Sequence, residues 1–329
     1  MTPFELRTTQ VLRSRLCSLL LVVFALASAY APMPTVGLGP LAGIDRGLLF
    51  ASPGHWLPDG PRAFGWALAL NLLVMGLMAL INRRYNLLRT LSWLFVGIFG
   101  VMEAASPETL RAFTGGQFAA FLVMWCVWLM FSTYHKRRRT KRVFMVFCLM
   151  SAACMVQYGF VVYLGVFLAG CAQMRIFSFR TLLAAVLGLV TPWWIVFGMG
   201  FAVPADLHMP VVANPFRAMD SVESLQLFVP VGVTLLAGLV CGTTNLFKII
   251  GLNARMRALN GLLTVTSIVT GIMAIIDFTN IEFYIPLLNA CVAFQIGYFF
   301  RNNIQRRAYV PVLLLLCVYI GIWIWKLII

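Results

Sequence analysis

The chain has 329 residues, of which 61% are hydrophobic and 11% charged, and its net charge is +15. A water-soluble domain carries about 25% charged residues. This composition therefore excludes a soluble globular fold and points to the membrane class, where the place of each charge matters more than the sum.

The N-terminus reads as an uncleaved signal-anchor. Arg7, Arg13 and Arg15 precede the apolar run of residues 16–31, and Pro32 directly follows the small-x-small ending at Ala29–Ala31, which disfavours cleavage. A spanning helix needs roughly 20 apolar residues. Apolar runs predict helices near 16–34, 63–81, 90–105, 116–134, 143–157, 159–174, 181–202, 226–246, 259–278, 283–300 and 309–329. The predicted fold class is thus an all-α, polytopic transmembrane bundle of about eleven helices, forming one membrane domain over 1–329 with no soluble domain.

Residues 143–174 contain no charge and are too long for one ordinary span. The basic run Lys136–Arg142 before them and Arg175 and Arg180 after them belong on one side of the membrane. That parity requires two short helices turning near Gln157, Tyr158 and Gly159, or a re-entrant hairpin. In the next helix, Pro192 removes a backbone donor and is expected to produce a kink.

With the N-terminus inside, the basic residues separate. Arg7, Arg13, Arg15, Arg83, Arg84, Arg89, the six of Lys136–Arg142, Arg175, Arg180, Lys248, Arg255, Arg257, Arg301, Arg306 and Arg307 fall inside. Arg46, Arg62, Arg111 and Arg217 fall outside, with Lys326 near the C-terminus and close enough to it to snorkel outward. This is the positive-inside pattern, and it puts the C-terminus outside. It also makes the run "KRRRTKR" a cytoplasmic anchor against anionic lipid rather than a nucleic-acid patch. Carboxylates do the reverse: Glu5 alone is inside, whereas Asp45, Asp59, Glu103, Glu108, Asp206, Asp220, Glu223, Asp277 and Glu282 are outside.

All eight cysteines lie inside apolar runs and read as small hydrophobes. No phosphate-binding glycine motif, zinc-protease motif, serine-hydrolase elbow or haem-attachment motif occurs. His55, Asp206 and His208 lack the helical spacing of a metal site, so no metal and no cofactor is expected. The middles of the predicted helices hold no ionisable residue, which disfavours a proton-relay transporter.

Chemistry is expected on the outside face, where the loops 35–62 and 203–225 are long enough to be functional. Asp45, Glu103 and Asp59 are the candidate catalytic carboxylates, able to serve as general base on an acceptor hydroxyl. Arg46, Arg62, Arg111 and Arg217 are the candidate substrate-binding residues, because the guanidinium fork matches phosphate oxygens. The alternative reading of these charges is a solvated rim.

Two stretches carry a resemblance. "FSFRTLLAAVLGLVTPWWIVFG" (177–198) and "IEFYIPLLNACVAFQIGYFF" (281–300) resemble segments of a family of uncharacterised polytopic inner-membrane proteins of Bacteroidetes. That resemblance implies a fold and a bacterial inner-membrane location but no activity. The long first outside loop with Asp45 is more loosely similar to C-superfamily membrane glycosyltransferases, which implies a polyprenyl-phosphate-linked substrate. The chain departs from that superfamily's paired acidic motif, since Arg46 follows Asp45.

Three functions are therefore carried forward. The first is an enzyme acting at the extracytoplasmic face on a lipid-linked or envelope-glycan substrate. The second is a non-catalytic scaffold subunit with envelope protein partners. The third is a carrier or flippase for a lipid-like solute. Membrane lipids are expected partners of all three, and nucleic acid of none.

Overall fold

The computed structural model describes residues 3–31, 47–57, 60–88, 93–111, 113–136, 139–208, 222–248, 251, 253–303 and 308–328. In chain order the α-helices are α1 (Pro3–Arg13), α2 (Arg15–Ser28), α3 (Pro61–Tyr85), α4 (Leu94–Ala104), α5 (Pro107–Arg111), α6 (Gly115–Phe131) and α7 (Thr140–Val156), then α8 (Val161–Gln173), α9 (Phe179–Gly198), α10 (Val222–Lys248), α11 (Ala254–Ile276), α12 (Ile281–Asn302) and α13 (Tyr309–Ile328). No strand occurs among the described residues. Six helices, α3 and α9 to α13, are long and apolar enough to cross a membrane. The molecule is a helical membrane bundle.

The core is built on α4 and α12. Every residue of α4 is buried, and so is every residue of α12 from Phe283 to Tyr298. The two run antiparallel, with Phe95 and Phe294 rings 4.9 Å apart. Among the six long helices α12 has the lowest mean hydropathy, 1.5, yet 89% of it is buried, whereas α9 at 1.8 is 22% buried. Lipid is as apolar as leucine, so polar side chains rather than apolar ones decide which helix goes to the centre. Tyr284, Asn289, Gln295 and Tyr298 draw α12 inward, where α4, α6, α10 and α11 surround it. α9 packs on α7 at the periphery.

Glycines let backbones touch at two of these contacts. A Cβ on Gly116 of α6 would lie 2.2 Å from the Glu282 carbonyl oxygen of α12, and one on Gly188 of α9 would lie 2.5 Å from that of Phe144 of α7. Close backbone approach through small residues is the usual means of tight packing between membrane helices.

The 143–174 stretch is a hairpin. α7 ends at Val156, Gln157 is extended (φ −148°, ψ 118°), a 3-10 turn covers Tyr158–Phe160, and α8 returns. The return is sealed at the far end, where the His135 N–H donates to the Met174 carbonyl at 3.1 Å. The parity argument from flanking arginines and the expected turn at Gln157–Gly159 agree with this geometry.

Contacts sort onto two ends of the bundle. At one, Arg301 reaches the Leu87 carbonyl, Lys248 that of Asn302 and Arg139 that of Ser132. At the other, Arg111 reaches the Ala29 carbonyl, and Tyr158 meets Asp277. Most of the arginine and lysine lies at the first end, and Asp277 with Arg111 at the second.

Several local readings are corrected. The N-terminal residues form a separate helix, α1, bent 58° from α2, because Ser14 caps α2 by accepting the Cys17 N–H at 3.1 Å. α4 has 11 residues, so it rises only about 16 Å and ends well short of a ~30 Å hydrocarbon layer. Lys326 does not extend outward: it is 3% exposed. All eight cysteines are free and five are buried, although Cys317 is exposed.

Candidate functional site

Because α4 stops early, its penultimate residue, Glu103, ends inside the bundle and is 0% exposed. The Asn289 side-chain amide of α12 donates to Glu103 Oε1 at 2.8 Å. Asn289 lies eight residues into α12, about 12 Å along the helix axis from its start. Its other amide atom, Oδ1, accepts from the Thr234 hydroxyl of α10 at 3.2 Å, and Thr234 is 2.7 Å from the Tyr319 hydroxyl of α13. A chain of four side chains thus ties α4, α12, α10 and α13 to one buried carboxylate.

A second carboxylate lies on the other flank of α12. Asp277, just past the end of α11, is 2% exposed. Tyr158 donates to both of its oxygens, at 2.9 and 2.8 Å, and Tyr284 donates to Oδ2 at 2.9 Å. The hairpin turn between α7 and α8 is thereby fixed to α11 and α12. Below it, the Tyr163 and Thr270 hydroxyls are 3.0 Å apart. Beside it, Gln157 Nε2 donates to Asn280 Oδ1 at 3.3 Å, which leaves Gln157 Oε1 and Asn280 Nδ2 buried without a hydrogen-bond partner among the described residues. The Ser52 hydroxyl is unpartnered in the same sense.

The described ends of the two long inter-helix segments, 47–57 and 203–208, meet over this cluster. Leu48, Leu49 and Phe50 donate backbone N–H groups to the Cys154 and Met155 carbonyls, satisfying the C-terminal end of α7. The Leu48 carbonyl in turn accepts the His208 N–H at 3.0 Å. Gly115, at the start of α6, brings Ser52, Phe283 and Gln157 to one point, all within 3.8 Å of where its Cβ would stand.

Of the residues expected to act, Glu103 is therefore an interior carboxylate and not part of a solvated rim. Arg111 is half-buried, its Nε donating to the Ala29 carbonyl at the end of α2 at 3.1 Å. Arg62 is exposed in the first turn of α3. Asp45, Asp59, Arg46 and Arg217 lie outside the described residues. Asp206 accepts the Val203 N–H at 2.9 Å and so closes its own 3-10 turn. Among the described residues no three His, Cys, Asp or Glu side chains converge as a metal site would require.

Sequence reasoning missed Asn289, Thr234, Tyr319, Tyr158 and Tyr284. The signal for them was present, since an amide or a phenol inside a lipid-soluble run is costly unless it faces a polar partner. The partner's identity was not, because the pairs are far apart in the chain.

The two carboxylates differ in what they can do. Asp277 accepts from two phenols and is occupied as a fastening. Glu103 is positioned through Oε1 by the neutral Asn289 amide. No protein-family model matches the chain, and no curated protein matches it.

Proposed function

We propose that the chain is a bacterial inner-membrane protein of about eleven membrane-embedded helices, N-terminus inside, that acts at the extracytoplasmic face on a lipid-linked or envelope-glycan substrate. The observation that carries this reading is Glu103. A wholly enclosed carboxylate within a membrane bundle is expensive and is retained where it has work to do. The segregation of arginine and lysine from carboxylates onto opposite ends supports the orientation. The meeting of the described ends of both long segments at Leu48 and His208, over the Asp277 and Gln157 cluster, supports a shared site at that end of the bundle.

In this reading Glu103 accepts the proton of an acceptor hydroxyl. Asp45 or Asp59 completes the acid–base pair, and Arg46, Arg62, Arg111 and Arg217 hold the phosphate of a polyprenyl-phosphate donor, as in the glycosyltransferases that the first outside loop resembles. Mass spectrometry of lipid extracts tests it: a strain lacking the gene should accumulate a saccharide-bearing polyprenyl phosphate, cleared by the wild-type gene and not by Asp45→Asn. Unchanged extracts would remove the enzyme reading.

A carrier of a lipid-like solute is the second reading, favoured by one observation. Glu103 meets Asn289 about 12 Å along α12, so an ionisable group does lie at membrane depth. The earlier ground for disfavouring proton coupling therefore falls away. Reconstituted vesicles distinguish the two: a carrier moves protons with its solute, whereas an enzyme does not.

A further inference from the structure

The opposite end of the bundle holds a cluster of cations that the reading above does not use. Tyr85, the last residue of α3, donates its hydroxyl to the Trp128 carbonyl of α6 at 3.1 Å. One turn further along α6, the Ser132 carbonyl accepts Arg139 Nη1 at 3.0 Å. Arg255, at the start of α11, lies over the Tyr85 ring, 5.9 Å from its centroid. Arg84 precedes Tyr85 in the chain, and Arg142 stands in the first turn of α7.

Four guanidinium groups from three helices and one loop thus share this end of the bundle, Arg255 over the Tyr85 ring and Arg139 on the α6 terminus that Tyr85 also bonds. They repel one another, and the α6 carbonyls offset that repulsion only in part. The sequence places one carboxylate on this side, Glu5, and it belongs to α1, which packs on α2 and α13. Arg139 and Arg142 are half-buried, so solvent screens them less than it screens a free surface charge. The cluster sits where α3 and α6 end and α7 and α11 begin, which is the level of the lipid phosphates when these helices cross a bilayer.

We propose that Arg139, Arg142 and Arg255, grouped about Tyr85, form a binding site for the phosphate of an anionic phospholipid of the surrounding leaflet. The guanidinium forks take the phosphate oxygens, and the partly exposed Trp125–Trp128 pair meets the glycerol level of the lipid.

Native mass spectrometry of the purified full chain in mild detergent, with phosphatidylglycerol or phosphatidylcholine added, tests this. The wild type should retain phosphatidylglycerol and not phosphatidylcholine. Arg255→Gln leaves the Lys136–Arg142 run intact and should lower retention by about fivefold, and Arg139→Gln with Arg142→Gln by about thirtyfold. The pair Arg7→Gln and Arg15→Gln removes equal charge on α1 and α2 and should change retention little. Equal loss in that control, equal binding of phosphatidylcholine, or displacement of the lipid by millimolar inorganic phosphate would overturn the assignment. A melting curve on each variant confirms that the folded protein is being compared.

Discussion

The Tyr158 hydroxyl donates to both carboxylate oxygens of Asp277, at 2.9 and 2.8 Å, across 119 positions of sequence. Tyr284 adds a third bond, so the carboxylate is held by two phenols in a place where water does not compete. Hydrogen bonds to a charged group contribute about 1.5–3 kcal/mol, more than neutral ones. Tyr158→Phe should therefore lower stability by about 1–3 kcal/mol in detergent, and Tyr158→Phe with Tyr284→Phe by more than either alone. Chemical denaturation of the three variants checks this. Wild-type stability in the double variant would show that Asp277 fastens nothing.

The hairpin turn offers a sharper test of packing. A Cβ on Gly159 would stand 2.5 Å from a Phe283 ring carbon and 3.1 Å from the Tyr284 hydroxyl, whereas one on Gly165 of α8 meets nothing within 4 Å. Gly159→Ala should cost about 1–3 kcal/mol through overpacking. Gly165→Ala should be neutral, or stabilising by about 0.5–1 kcal/mol, as expected for alanine in a helix. Equal effects at both positions would mean that the turn does not pack on α12 in this way.

These two clusters explain how much of the molecule was legible beforehand. The helices were, because apolar run length is a direct reading of hydrocarbon thickness. The hairpin was too, because Lys136–Arg142, Arg175 and Arg180 had to share a side. The end of α4 was legible too, since Ala104 lies one residue from the expected boundary and Pro107 follows, but the burial of Glu103 was not, because its pairing with Asn289 spans 186 positions. Lys326 misled for a related reason. Its position near a chain end implied escape to water, yet it is enclosed. Among the expected site residues, Glu103 and Arg111 were named from charge alone, but nothing local in the sequence distinguishes an interior carboxylate from a solvated one.

Orientation has its own test. A periplasm-active reporter fused after Ile329 should be active and one fused after Arg139 inactive, because the basic loops hold the Arg139 end inside. Activity at Arg139 would contradict the proposed orientation, with the N-terminus inside, and transfer the carboxylate end to the cytoplasm.

The network around Glu103 predicts an asymmetry between its members. Asn289→Leu removes the amide that meets Glu103 and leaves an interior carboxylate short of a donor, so it should destabilise the fold by about 2–4 kcal/mol. Tyr319→Phe, two links away through Thr234, should cost about 1 kcal/mol. Thermal unfolding that ranks Tyr319→Phe as the more damaging would show that Glu103 is not what the network serves.

The central claim is that Glu103 is retained for chemistry and not for packing, and Glu103→Gln tests it most directly. The glutamine keeps the shape and an amide oxygen for Asn289, replaces the second acceptor oxygen by an NH2 group, and removes the charge and the basicity. In a strain lacking the gene, the variant should reach wild-type folded levels in the membrane while turnover of the lipid-linked substrate falls by about 10²–10⁴-fold, the usual worth of a general base. Full restoration of turnover by the folded Glu103→Gln protein would contradict the account.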